Sequence, residues 1–341
     1  MAKRHLLTTE KQYKGQYYTT VANKLLNGWE KYTEGKCVLD PFVGAGDLLR
    51  WASNAKKVTG YDIDPAAPGA LLNDSLMDPP DYTGSFLISN PPYLSSNKCR
   101  DGDKRPYQKW GQSDYYKCHL ASLLPNNCEE GILILPSNFI SESNAKAREL
   151  FFSDYEILEL RYWREPTFED TNTGIVAFVF KKASTRVPKR VVPTTLYPQN
   201  VSFDMTLERR YKWLWGQDFF DTLNSANDYE YTRAVEVVPN TNIVVGCLDN
   251  GRYSTGFHYN EEDPIIVKKS VITTFQLMTP YEFTLEEQKE IVRVANELLA
   301  NFREQYHSMF LSNYLGATQK IMSQTYAFRL VNAATDIVLG L

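Results

Sequence analysis

The stretch that decides how this chain is read is Phe86-Leu87-Ile88-Ser89-Asn90-Pro91-Pro92-Tyr93. Three apolar residues in a row describe a buried strand, yet it runs without a charge or a helix cap into an amide, two prolines and an aromatic ring. Prolines cannot donate to a sheet ladder and hold the chain extended, so the strand ends here and presents Asn90 and Tyr93 at its tip. A carboxamide displayed at the end of a buried strand needs a chemical reason.

Outward from that tip, residues 37–182 alternate short apolar runs with longer mixed segments: CVLD, KVTGYDID, SFLIS, GILILP, YEILELRYW and GIVAFVF. This rhythm predicts strands separated by helices, hence an α/β fold with a mainly parallel sheet and helices on both faces. DLLRWASNA, DYYKCHLASLLP and ESNAKARELFF read as the intervening helices or their beginnings. After Lys182 the rhythm stops, and residues 183–280, rich in Val, Thr, Tyr, Trp, Pro and Asn, read as an irregular β-rich module. From Thr284 the pattern turns helical, with Thr284 and Glu287 at capping-box spacing.

Composition is that of a soluble globular protein, 43% hydrophobic and 23% charged, long enough for two domains. No apolar run approaches the roughly 18 residues that cross a bilayer, and the N-terminus lacks a signal-peptide core, so a cytoplasmic location and no membrane contact are expected. Five cysteines without a CxxC pair and four scattered histidines suggest neither a disulfide framework nor a metal site. The net charge of -4 speaks weakly against a nucleic-acid partner. Local charge differs: Lys98 to Lys117 holds six bases against three acids, and residues 181–190 hold five bases and no acid. Both runs are candidates for phosphate contact.

Val38 to Leu49, VLDPFVGAGDLL, reads as strand, glycine-bearing turn and helix. Gly44 and Gly46 let backbone approach a ligand, and Asp40 at the strand end can accept hydrogen bonds from an ammonium group. Leu49 stands where a dinucleotide fingerprint has its third glycine, which disfavours a pyrophosphate ligand. Asp62 falls at a second strand end, suited to ribose hydroxyls, and Asp74 at a third acidic tip, suited to an adenine amino group. Three such tips with the glycines describe a nucleoside carrying a positive centre, and S-adenosylmethionine fits that description.

With these residues in view, NPPY after a hydrophobic strand, downstream of DPFVGAG, resembles motifs IV and I of the S-adenosylmethionine-dependent amino-methyltransferases of DNA. GQYYT (Gly15 to Thr19) is similar to their motif X, GILILPSNFI to a following core strand, and TFEDTNTGIVAFVF to motif VIII. The order X, I, IV, VIII resembles the gamma class found in restriction-modification systems, although PFVGAG is closer to the alpha class. The resemblance implies a Rossmann-like methyltransferase sheet over residues 1–183 and a C-terminal mixed β/α target-recognition module over 184–341, helical from about 284. It also implies cofactor contacts from Thr19, Asp40, Pro41, Phe42, Gly44, Gly46, Asp62, Ile63, Asp74 and Ser75, and Phe168 as an aromatic closing one face of the target base.

The chemistry supplies the reason for the amide. An exocyclic amine is a poor nucleophile because its lone pair is delocalised into the ring. If the Asn90 side-chain oxygen and the Pro91 carbonyl both accept its hydrogens, the nitrogen can pyramidalise and aim at a methyl carbon. Pro92 and Pro91 keep the acceptors rigid, and Tyr93 is placed to stack on a base taken out of the duplex. The expectation is therefore a site-specific methyltransferase acting on the adenine N6 amine of double-stranded DNA, a monomer, accompanied by a cognate restriction endonuclease system. Lys98, Arg100, Lys104, Arg105 and Lys109 are the candidate DNA contacts, and RRYKWLWGQDFF (Arg209 to Phe220) and DNGRYSTGFHYN (Asp249 to Asn260) interleave bases and aromatics as groove-contacting loops do. Cytosine N4 stays open as the target, as do a guanine amino group in RNA, a protein glutamine, and a fold that binds DNA or a partner without catalysis.

Overall fold

A computed structural model describes residues 22–99, 102–165, 174–217, 219–223, 225–249, 253–267, 273–313 and 319–341. The GQYYT stretch with Thr19, and also Arg100 and Phe168, lie outside the described residues.

The chain divides into two compact units, the first comprising residues 1–139 and 144–213, the second 140–143 and 214–341. Nine strands form the sheet of the first unit: β1 Cys37–Asp40, β2 Lys57–Asp62, β3 Leu71–Leu72, β4 Phe86–Ser89, β5 Glu130–Pro136, β6 Tyr155–Trp163, β7 Ile175–Lys182, β8 Lys189–Tyr197 and β9 Val201–Glu208. Their order is β3-β2-β1-β4-β5-β7-β6-β8-β9. From β3 to β5 every pairing is parallel, and β7 enters antiparallel between β5 and β6. This is the mostly parallel α/β sheet expected from the sequence.

Alternation along β7 shows why it can be buried on both faces. Ile175, Ala177 and Val179 join Leu25, Trp29, Leu48 and Trp51, which come from helices and turns on one side. Phe178 and Phe180 point the other way, into an aromatic cluster with Phe139, Phe151 and Tyr155 around helix Ala145–Phe152. A sheet covered on both sides reads as continuous apolar runs, as β4, β5 and β7 do.

The expected domain boundary at 183/184 falls instead at 213/214. The stretch read as the start of an irregular module is the hairpin β8–β9, and β8 adds in parallel to β6 with Leu160 opposite Thr194 and Trp163 opposite Tyr197. Val192, Thr194 and Leu196 are buried while Val191, Pro193 and Lys189 face out. That is the half-covered pattern of a sheet margin.

The second unit carries a four-stranded antiparallel sheet, β10 Thr232–Arg233, β11 Ile243–Gly246, β12 Gly256–Tyr259 and β13 Thr274–Met278, in the order β10-β13-β11-β12. Two long helices, Leu285–Gln305 and Gln324–Leu339, pack on one another. The capping box forms as expected: the Glu287 N–H donates to Thr284 Oγ1 at 3.2 Å, and the Thr284 N–H donates to Glu287 Oε2 at 2.7 Å. Trp213 in the first unit and Trp215 in the second are buried, as are Leu214 and Phe219, so these residues of RRYKWLWGQDFF serve as core. No described helix is long and apolar enough to cross a membrane.

Candidate active site

In an open α/β sheet, ligands bind beyond the carboxyl ends of the strands where the strand order reverses. Here that point lies between β1 and β4, so the loop after β1 (Pro41–Gly46) and the tip after β4 (Asn90–Tyr93) meet there. A cavity of about 460 Å³ opens at this place, a volume suited to a ligand of nucleoside size.

The glycine loop is shaped by three devices. Gly44 and Gly46 adopt φ of 52° and 82°, the left-handed region that side chains disfavour. Asp62 at the end of β2 accepts the Gly44 N–H at 2.7 Å and the Asp64 N–H at 2.9 Å. Gly60 on β2 makes room for the loop: a Cβ there would sit 2.3 Å from a Val43 methyl and 2.7 Å from Leu49 Cδ1. The close helix-to-strand approach that a third loop glycine would allow is thus achieved from the strand side, which explains Leu49 in that position.

Of the residues expected to hold a cofactor, Phe42, Gly44, Asp62, Ile63, Asp74 and Ser75 line the cavity. Pro41 and Gly46 shape the loop without lining it. Asp40 also stays off the cavity wall and is fully buried; its Oδ1 accepts the Phe42 N–H at 2.9 Å and its Oδ2 has no partner among the described residues. Burial pushes its pKa up to about 8 against the opposing Phe42 hydrogen bond, with Asp62 adding to the rise.

Asn90 and Pro92 line the same cavity. Tyr93 does not line it. Its hydroxyl lies against both Asn90 Oδ1 and the Ile134 carbonyl, 2.8 Å away, and its ring meets Tyr116 edge-on at 6.3 Å. A hydroxyl has one proton, so it serves one of these acceptors at a time.

Eight lining residues escaped the sequence reading: Asp64, Ala66, Asn73 and Leu76 beside the expected acidic tips, and Gly102, Asp103, Pro106 and Tyr115 from the segment after the NPPY tip. Arg105 sits between carboxylates, donating to Asp103 through Nε at 2.9 Å and through Nη2 at 2.6 Å, and standing 3.9 Å from Asp74. Its guanidinium holds the Asp103 carboxyl below the ordinary range. Lys109 Nζ donates to the Met77 carbonyl, while Lys98 and Lys104 are exposed. The second basic run is placed elsewhere. Lys181 pairs with Glu130 across the sheet, at the amino end of β5 and opposite to the cavity. Its charges meet Glu156 (Lys181 and Arg190) and Asp154 (Arg186).

No family model matches the chain, and no curated protein matches it. Among solved structures it is similar to the type I restriction enzyme EcoKI M protein, at 12% identity and a TM-score of 0.41, covering 53% of this chain and 49% of that one. It is also similar to a type I restriction-modification system methyltransferase subunit from Streptococcus thermophilus, at 17% identity and a TM-score of 0.37, covering 54% and 48%. The type IIG restriction endonuclease BpuSI matches at 15% identity and a TM-score of 0.40, covering 59% and 34%. The chain thus spans about half the length of the first two and a third of the last. At these scores the fold is read from the strand order and the site from its own geometry.

Proposed function

We propose that this chain is an S-adenosylmethionine-dependent methyltransferase acting on the N6 amine of an adenine flipped out of double-stranded DNA. The observation that carries the reading is a cavity lined together by Asp62 at the end of β2, Asp74 in the turn that follows β3, and Asn90. A cationic nucleoside fits this lining of acidic side chains with a backbone approach at Gly44, behind which Asp40 keeps a buried carboxylate oxygen that has no partner among the described residues. The cofactor supplies an electrophilic methyl group. Asn90 Oδ1 and the Pro91 carbonyl accept the two amine hydrogens, so that the nitrogen lone pair is released toward the methyl carbon and growing positive charge is met by fixed acceptors. The Tyr93 hydroxyl can turn its O–H from Asn90 Oδ1 to the Ile134 carbonyl, so that it does not compete with the amine for that oxygen. Residues 214–341 would hold and read the duplex, the stretch 184–213 having joined the first sheet.

Transfer of tritium from labelled cofactor to DNA, RNA and protein, each offered separately, tests the reaction and its substrate class together. Incorporation into DNA alone is expected, with methylated adenine on digestion. Asn90→Ala should lower transfer by at least about 100-fold, the usual loss on removing one charge-stabilising contact at a reacting centre, while thermal unfolding stays unchanged. Undiminished transfer by that variant would falsify the mechanism.

A further inference from the structure

The basic residues that follow the NPPY tip are expected from sequence to grip phosphates. Their placement argues for a different task. We propose that residues 102–110 form a lid that retains the cofactor at the nucleobase end of its cavity, a proposal that rests on the methyltransferase reading above.

Three observations place the lid. Gly102, Asp103 and Pro106 line the cavity together with Asp74, Ser75 and Leu76 of the 73–78 turn. The helix Arg105–Trp110 is fastened to that turn along its length: Trp110 Nε1 donates to the Leu76 carbonyl at 2.7 Å, Lys109 Nζ donates to the Met77 carbonyl, and Arg105 lies 3.9 Å from Asp74. Beneath it, the Tyr107 ring stacks on Tyr115 at 4.8 Å, and the Tyr107 and Tyr115 hydroxyls donate to the carbonyls of Leu94 and Asp103.

Magnitudes rank the fastenings. The Trp110 indole is half-buried and packs against the cluster of Leu76, Leu94, Cys99 and Tyr107, so its hydrogen bond keeps its full net worth. Arg105 has a side chain 69% exposed, and an ion pair in that setting contributes little and is screened by salt. Trp110 is therefore the main fastening and Arg105 a salt-sensitive supplement. With Asp103 facing the cavity and Arg105 committed to it, Arg105 is a positioning residue for the lid's carboxylate.

The lid is fastened to the turn that carries Asp74 and Ser75, so a ligand seated against both surfaces leaves only when these contacts open. Opening sets the rate of cofactor release.

The test uses the full chain and S-adenosylmethionine, with calorimetry for affinity, stopped-flow displacement for release, and titration of duplex DNA over a salt series. Wild-type binding of the cofactor comes first; its absence overturns the methyltransferase reading and the lid with it. Where wild type binds, Trp110→Phe keeps an aromatic ring against the cluster and loses the hydrogen bond with part of the packing, and release should quicken by about 5- to 10-fold. Arg105→Ala should quicken release by about 2- to 3-fold at low salt and not at high salt, with DNA affinity and its salt slope unchanged. Circular dichroism and thermal unfolding confirm that both variants fold. The proposal is overturned if release is unchanged in Trp110→Phe, or if Arg105→Ala weakens DNA binding and flattens its salt dependence.

Discussion

Asp40 in the first unit and Asp336 in the second are both buried carboxylates, 0% and 6% exposed, and they titrate in opposite directions. Asp40 has a single described donor, the Phe42 N–H, and burial takes its pKa up to about 8. Burial also works against ionisation of Asp336, but the hydroxyls of Ser225 and Tyr229, the Asn227 amide and the Ala226 N–H bring it down to about 2. The difference separates a polar group that organises a loop from one left short of partners beside a cavity. Where a buried carboxylate is matched by donors it fixes structure; where it is under-matched its charge waits on a ligand or stays off.

The largest expected effect breaks the matched partner. Asp336→Asn turns one acceptor oxygen into a donor facing donors, and loss of such a buried, charge-assisted network costs about 3 kcal/mol. Because the folded pKa is depressed, the wild-type contribution is present above the ordinary carboxylate range and is lost as pH falls toward about 2. Denaturant unfolding at pH 7 should show the loss, and the gap between variant and wild type should close near pH 2. An equal gap at both pH values would mean that shape, and not charge, holds this loop.

The same contrast runs through the backbone of the two units. In the first, long ladders pair strand with strand. In the second, side-chain amides also bind backbone: Asn296 receives the Phe257 N–H and donates to the Phe257 carbonyl on strand β12, and Gln288 receives from Asn242 and donates to Phe283. Gln276 receives the Ile265 N–H and donates to the Thr241 carbonyl. A buried loop must satisfy its own N–H and C=O groups, and carboxamides do so with one donor and one acceptor each. Gln276→Met keeps the length and removes both bonds, at a cost of about 2 kcal/mol. Hydrogen exchange should quicken at amides of β11 and β13 and stay unchanged in β4, β5 and β7; faster exchange in both sets would erase the distinction.

This contrast also explains what could be read in advance. β4, β5 and β7 announce themselves because both faces are covered and their sequences are apolar throughout. The tip at Asn90 is legible because two prolines leave the chain one way to continue, and helix Leu285–Gln305 because its cap is local. β8 and β9 hide because a half-covered margin mixes Lys, Pro and Thr with Val, which reads as irregular chain. The lid helix hides because Arg105 and Lys109 look like a phosphate grip until their partners at Asp103 and Met77 are seen. Gln276 and Asn296 resemble surface residues, and only tertiary structure shows them at work on buried backbone.

The sharpest test of the contrast concerns Asp40. Its folded pKa is raised, so the folded chain keeps a proton up to about pH 8 that the unfolded chain gives up near the ordinary value of about 4. Between those limits the folded state binds more protons, and stability declines as pH rises. Asp40→Asn keeps the acceptor for the Phe42 N–H and removes the titration. The variant should therefore gain on wild type by about 1 kcal/mol per pH unit from pH 5 toward pH 8 and level off above it, read as the difference between their denaturant unfolding free energies. A cationic ligand close to Asp40 would reverse the balance by drawing its proton off. Calorimetry of cofactor binding at pH 6.5, in buffers of different ionisation enthalpy, should then report release of up to one proton by wild type and none by Asp40→Asn. Equal release from both would place the ammonium group away from Asp40 and leave that carboxyl a role in shaping the loop alone.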